Sequence, residues 1–281
     1  MKAQAWVWAL GLAGAMCAWA QLPLEPPHTS GQSITGAFEG WFPNGDGTFS
    51  ILLGYFNRNT REALDIPVGP NNHIDPDGPD HGQPTHFVPG RMWGNFIIKV
   101  PQDFGGKKFT WTIVANGKPT VIPMSLATDW EVSPFIDGSG NAPPFIGFSE
   151  KGPFVNGPAG QTVAMTAIVG TPLTLNAWVA DDAHTIPGMT RPRTSPVSVG
   201  WTQFRGPGQV KFSAERPAVE KADFKGPDKT EFTGKAATDA TFSAPGEYIL
   251  RVVANDWTGE GGRGFQCCWS NAQVKVSVAA R

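Results

Sequence analysis

The sequence predicts an all-β protein folded as two sandwich-like domains, on three observations. Gly or Pro interrupts almost every stretch long enough to show a helical period, and the apolar residues alternate instead of recurring at three and four. The 34 Gly and 26 Pro among 281 residues make turns dense. The 40% apolar content still supplies material for a core.

The first 20 residues have the parts of a secretory signal. Lys2 gives a basic start, residues 5–16 are apolar, and Ala18-Trp19-Ala20 is a small-x-small cleavage site. The expected mature chain starts at Gln21, and the expected compartment is the periplasm, the cell surface or the medium. No later segment approaches the roughly 20 apolar residues of a spanning helix, so no membrane span is expected in the mature chain. The chain beyond residue 20 is longer than one core of short segments usually organises. Only 16% of residues are charged and the net charge is -2, so no basic surface exists to neutralise phosphates and nucleic acid is not an expected partner.

In the first domain, residues 21–136, strands are expected over 35–42, 48–56, 94–100 and 108–115, with shorter ones at 121–122 and 129–132. Asn44-Gly45-Asp46-Gly47 and Asn116-Gly117 are hairpin turns, because Asn and Gly tolerate positive φ. Residues 137–160 hold six Gly and four Pro in 24 positions, which forbids a regular ladder and marks a boundary. Phe145, Ile146, Phe148 and Phe154 within it are too apolar for a floppy tether, so the segment should pack on a domain. The second domain, residues 161–281, should carry strands at 162–169, 173–180, 197–204, 210–213, 240–243, 248–255 and 273–278. Seven short strands separated by turns is an immunoglobulin-like count, with Trp201 in the core and the Tyr248 hydroxyl bonded to backbone upstream.

The runs VSVGWTQFRGPGQVKF, ATFSAPGEYILRVVANDW and QVKVSV, across residues 161–279, resemble the Ig-like and PKD-type (polycystic-kidney-disease-type) β-sandwich repeats of large bacterial surface and secreted proteins. That resemblance implies binding, spacing or adhesion. Where such repeats often carry an Asp-Asp-Gly turn, this chain has Asp181-Asp182-Ala183-His184. In the first half, GYFNRNTREALDIPVGPNN and GQPTHFVPGR resemble segments of uncharacterised exported bacterial proteins, which implies no activity.

Four groups of residues are candidates for a site. Loop 71–86, NNHIDPDGPDHGQPTH, brings His73, His81 and His86 together with Asp75, Asp77 and Asp80. Carboxylates suit calcium and imidazoles suit zinc or copper, while the same Asp, Asn, Pro and Gly also make ordinary turns. Asp181, Asp182, Asn255 and Asp256 end two expected strands; the expected reading is turn residues with no cofactor, and the alternative is that at a common pole they offer oxygen donors to calcium. Cys267 and Cys268 are the only cysteines beyond residue 20. A vicinal disulfide, two free thiols and links to another chain are all open, since neighbouring Cα atoms about 3.8 Å apart across a trans bond are closer than a bridge prefers. Of eight Trp beyond residue 20, alternation places Trp41, Trp111, Trp178 and Trp201 in cores. Trp93, Trp257 and Trp269 adjoin Gly or polar turns and are the candidate ligand-binding surface rings.

No Gly-x-Ser-x-Gly elbow, His-Glu-x-x-His pair or phosphate loop occurs. The expected function is a secreted, non-catalytic binding or interaction module for protein or carbohydrate at the cell surface. Two alternatives stand beside it. One is a metal-dependent hydrolase or oxidase with its site in loop 71–86, and the other is a cell-surface structural or assembly subunit.

Overall fold

The computed structural model describes residues 26–185, 188, 190, 195–257 and 267–281; the signal-like segment lies outside them. It is all-β, with seventeen strands and two single 3-10 turns among the described residues.

In the first half, β1 (Ile34–Pro43), β2 (Phe49–Asn57) and β6 (Gly90–Val100) form an antiparallel sheet in the order β1-β2-β6. A second sheet orders β4 (Asn72–Asp75), β7 (Lys108–Ala115) and β8 (Lys118–Ser125) as β4-β7-β8. The two-residue strands β3 (Leu64–Asp65) and β5 (His86–Phe87) make a small ribbon beside them. The larger sheets share one core, in which Ile34, Leu53, Tyr55, Phe87, Phe96 and Trp111 pack together. Both hairpin expectations hold: Asn44 N–H donates to Thr48 O at 2.8 Å, and Asn116 and Gly117 take φ of 49° and 73°. The short strand expected at 121–122 is the middle of an eight-residue strand, because Pro119 and Pro123 are tolerated where β8 is a sheet edge. The strand expected at 129–132 is instead a 3-10 turn, Thr128–Trp130.

The second half is an immunoglobulin-like sandwich. One sheet orders β10 (Thr162–Ile168), β17 (Trp269–Ala279), β16 (Gly246–Asp256) and β12 (Val197–Arg205), with β10 parallel to β17. The other orders β13 (Val210–Phe212), β15 (Phe232–Phe242), β11 (Leu173–Asp181) and β9 (Phe145–Gly147), with β14 (Glu220–Lys221) on β15. Trp201, Phe242, Tyr248 and Leu250 lie in the core between them, and the Tyr248 hydroxyl donates to Ala244 O at 2.8 Å. Strand β9 corrects the view of residues 137–160 as unable to join a ladder: Phe145, Ile146 and Gly147 pair with β11 between the turns that Gly and Pro make. Strand β15 starts eight residues before the expected 240, because the Thr, Ala and Gly of its first half alternate too weakly to announce a strand. Trp178 is not in the core. It lies half-buried on the outer face of β11, edge-on to Phe224 and under the Lys235 ammonium.

The halves are fused along a seam. Leu52 on β2 faces away from the first core and packs with Phe42 of β1 and, across the seam, Trp269 of the second half, which explains why the run Ile51-Leu52-Leu53 is apolar on both faces of its strand. Gly94 is required there, because its φ is +45° and a Cβ would stand 2.2 Å from the Trp269 indole. From β16 the buried Arg251 crosses the seam, and its Nη2 donates to Asn271 Oδ1 at 2.7 Å and to the Trp93 and Gly94 carbonyls at 3.2 and 3.3 Å. Asn271 Nδ2 donates to Gly94 O and Pro158 O. The Glu39 carboxylate accepts from Gly94 N–H at 2.6 Å and from the Arg91 guanidinium. Burial holds Arg251 down at about 10 against the pull of Tyr55 and Glu39, and burial pushes the Glu39 carboxyl up despite Arg91 and the Gly94 amide.

Candidate functional site

Loop 71–86 does not bring three or more of its candidate ligands close enough to share an ion. Two buried amides fold it. Asn72 Nδ2 donates to Ile66 O and Pro84 O, and its Oδ1 accepts from Trp111 Nε1. Gln83 donates to Pro79 O and accepts from His81 N–H. Each candidate ligand is then engaged locally. His73 lies 3.2 Å from Gly69 O and 3.3 Å from Asp75, His81 reaches Pro76 O and leans on Phe109, and the buried His86 pairs with Asp65 at 2.6 Å. Asp77 is exposed in a turn at φ 74°. Asp80 is gripped by Arg205 of β12, whose two nitrogens reach its carboxylate at 2.8 and 3.0 Å. That hydrogen bond, chiefly, holds the Asp80 carboxyl below its ordinary value. The three imidazoles therefore serve three separate partners.

The pole of the second sandwich differs. Asp181 ends β11 in one sheet and Asp256 ends β16 in the facing sheet, and with Asp182 they place one carboxylate oxygen each within 4.8 Å of one another. Among the described residues this is the one group of three or more such side chains close enough to share an ion. Asp181 and Asp256 are buried, while Asp182 is half-buried. Asp181 Oδ2 caps Ala183 N–H at 2.8 Å and Asp182 Oδ1 caps His184 N–H at 3.0 Å, with Ala183 at φ 50°. Asn255 does not belong with them, because successive side chains of a strand point to opposite faces and Asp256 is the one directed inward. Clustered carboxylate oxygens suit a hard divalent cation such as calcium.

The paired cysteines adjoin this pole, where Asp256 N–H donates to Cys268 O at 3.0 Å. Cys267 and Cys268 form a disulfide through a cis peptide bond, with Cα atoms 3.1 Å apart where a trans link was expected. Both are buried with Asn141 O against their sulfurs, so the pair offers no floor to a surface ligand. Asp137 folds the neighbouring turn. Burial pushes its carboxyl up, but hydrogen bonds from Ser139 and the Asn141 amide, with His184 close by, hold it below the ordinary value.

None of the three expected surface tryptophans is fully exposed. Trp269 is buried in the seam, Trp257 is half-buried and donates to His184 O at 3.2 Å, and Trp93 lies under the Arg91 guanidinium, 3.9 Å from its ring centre. The exposed tryptophan among the described residues is Trp130, at 51%, tilted against Phe38 with ring centres 5.3 Å apart. Phe135 and Ile136 are next along the chain at 39% and 53%, with Phe135 edge-on to Phe42. Asp129 and Glu131, which flank Trp130, were the signal that could have found it, since a ring between carboxylates seldom faces a core.

No family model matches the chain. No curated protein matches it either. Among solved structures it is similar to domains 4 and 5 of the S-layer protein SbsC, at 11% identity and a TM-score of 0.24 over 89% of this chain and 98% of that one. It is also similar to the D00-D0 domain of intimin, at 13% identity and 0.24 over 87% and 99%. With zebrafish RET cadherin-like domains 1 to 4 the values are 12% and 0.25 over 79% and 46%.

Proposed function

We propose that the protein is a non-catalytic binding or structural module that works outside the cytosol and meets protein or carbohydrate through the aromatic rim of its first half. The observation that carries this reading is the exposure of Trp130, Phe135 and Ile136 on one short segment, with Phe38 and Phe42 holding two of the rings from beneath. A preset apolar rim of this kind serves contact, because little ordering cost remains when a partner arrives. The signal-like first 20 residues and the paired cysteines fit an oxidising compartment. Calcium at Asp181, Asp182 and Asp256 is part of the same reading, as a staple between the ends of facing sheets.

The test is binding of the purified protein to bacterial envelopes, cell-wall glycans and a second copy of itself, compared with the double variant Trp130→Ala, Ile136→Ser. Binding should weaken about tenfold or more, as expected for loss of an aromatic anchor, with an unchanged melting temperature. Equal binding by the variant would refute the rim, and turnover of a substrate by the purified protein would replace this reading with an enzymatic one.

A further inference from the structure

We propose that two copies of this chain pair edge to edge through β10, antiparallel, about a twofold axis at Met165. The proposal is independent of the role given to the aromatic rim.

Strand β10 is the edge of its sheet, and its ladder partner is β17. Gln161 O accepts from Gln273 N–H, and at the far end Val169 N–H donates to Ala279 O. The odd-numbered residues therefore turn their backbone groups toward β17, and alternation points those of Thr162, Ala164, Thr166 and Ile168 outward. Among the described residues only the Thr171 N–H, in a turn at Ile168 O, bonds any of that row. Other edges are blunted. Pro119 and Pro123 remove donors from β8, Val132 N–H donates to Trp41 O of β1, Val155 pairs with Ile146 of β9, and Trp201 N–H of β12 donates to Glu215 O. An open row of backbone donors and acceptors is a template for another strand, which charge, Pro or a covering segment normally blocks. The β10 sequence TVAMTAI carries neither charge nor Pro.

The strand that fits this edge best is its own copy. With Met165 opposite Met165 of the second copy, Thr162 pairs with Ile168 and Ala164 with Thr166, and the outward groups exchange about eight backbone hydrogen bonds. On the inner face Val163 then meets Ala167 of the second copy, a larger residue against a smaller one. Val163, Met165 and Ala167 pack on the second core but stay only partly buried, because no strand covers their flank. Beside Ala167 opens a pocket of about 430 Å³, lined by Ile168, Pro172 and, from the facing sheet, Leu173. The Val163 side chain of the second copy would lie over its mouth. Charge agrees with this pairing: two neutral strands desolvate no ion and set no like charges against each other. Seven residues a side fall short of the roughly 20–30 of a standard interface, so the dimer is weak and forms as concentration rises.

Sedimentation of the whole protein, over a series from about 1 μM to 1 mM, should show a monomer–dimer equilibrium. Thr166→Pro deletes an outward N–H and leaves the β17 ladder intact, so it should weaken the dimer about tenfold or more with an unchanged melting temperature of the monomer. Met165→Cys sits on the axis and should give a covalent dimer on mild oxidation. Val163→Cys, about 13 Å from its own copy, should not. This cysteine pair decides alone if Thr166→Pro fails to fold. The rim variant Trp130→Ala, Ile136→Ser should dimerise like the parent, which separates this proposal from the rim. A parent protein that stays monomeric throughout, assemblies larger than a dimer, an undiminished dimer in folded Thr166→Pro, or equal cross-linking of the two cysteine variants would overturn the proposal. So would a monomeric protein that binds an unrelated uncharged strand peptide at β10, since the edge would then serve a foreign strand.

Discussion

Loop 71–86 and the pole at Asp181 both offer several carboxylates, and the structure treats them oppositely. The loop concentrates His and Asp in one short stretch, yet backbone carbonyls, Asp65 and Arg205 take up its polar groups one by one. The pole draws on residues far apart in the chain, and three carboxylates meet because two strands of facing sheets end at the same height. Density of ligand types along a chain is therefore a poor guide to which side chains converge, whereas strand ends that share a pole are a better one.

The largest effect that could break this comparison concerns what folds the loop. Replacing Asn72 by Ala strands the carbonyls of Ile66 and Pro84 and the Trp111 indole N–H, so urea denaturation should show a loss of about 3 kcal/mol or more. Asp182→Ala at the pole, without calcium, should cost about 1 kcal/mol or less. A mild Asn72 variant would mean that the loop is held by something other than its amides.

Calcium gives the next contrast. At ten times its dissociation constant it should raise the melting temperature by about 3–6 °C in the parent protein and in Asp77→Asn. In Asp182→Asn the rise should be absent. A response lost in Asp77→Asn and kept in Asp182→Asn would reverse the assignment.

The smallest effect is the pairing of Asp80 with Arg205, which joins the loop to the second sandwich. Both groups are partly exposed, so Arg205→Ala should cost only about 1 kcal/mol near neutral pH. Asp80 titrates below its ordinary value in the folded protein, so the pair stabilises the fold above the unfolded value of about 3.9, and that stabilisation fades as pH falls through the lowered folded value. Stability curves of parent and variant should converge below about pH 4. A constant offset across that range would show that Arg205 acts through the Gln83 carbonyl it also contacts, and not through Asp80.

Much of the fold was legible because its signals are local. Asn116-Gly117 supplies two residues able to take positive φ, and the alternation around Trp201 and Tyr248 places both in the second core. The tryptophans show where such signals end. Trp111 and Trp178 sit in similar alternating strands, yet one is fully buried and the other lies on an outer face, since alternation separates two faces without saying which one another layer covers. Trp269 adjoins polar residues as a surface ring would, and is buried because Gly94 leaves room for its indole.

By itself the sequence determined the all-β class, the turns and most strands, because period and turn chemistry act over a few residues and need no partner. Only the tertiary structure decided that the two sandwiches fuse along a seam, that three aspartates meet at one pole while three histidines do not meet, and that the exposed tryptophan among the described residues is Trp130. Those outcomes depend on which distant faces press together, and burial and convergence are properties of pairs of surfaces that no single strand encodes.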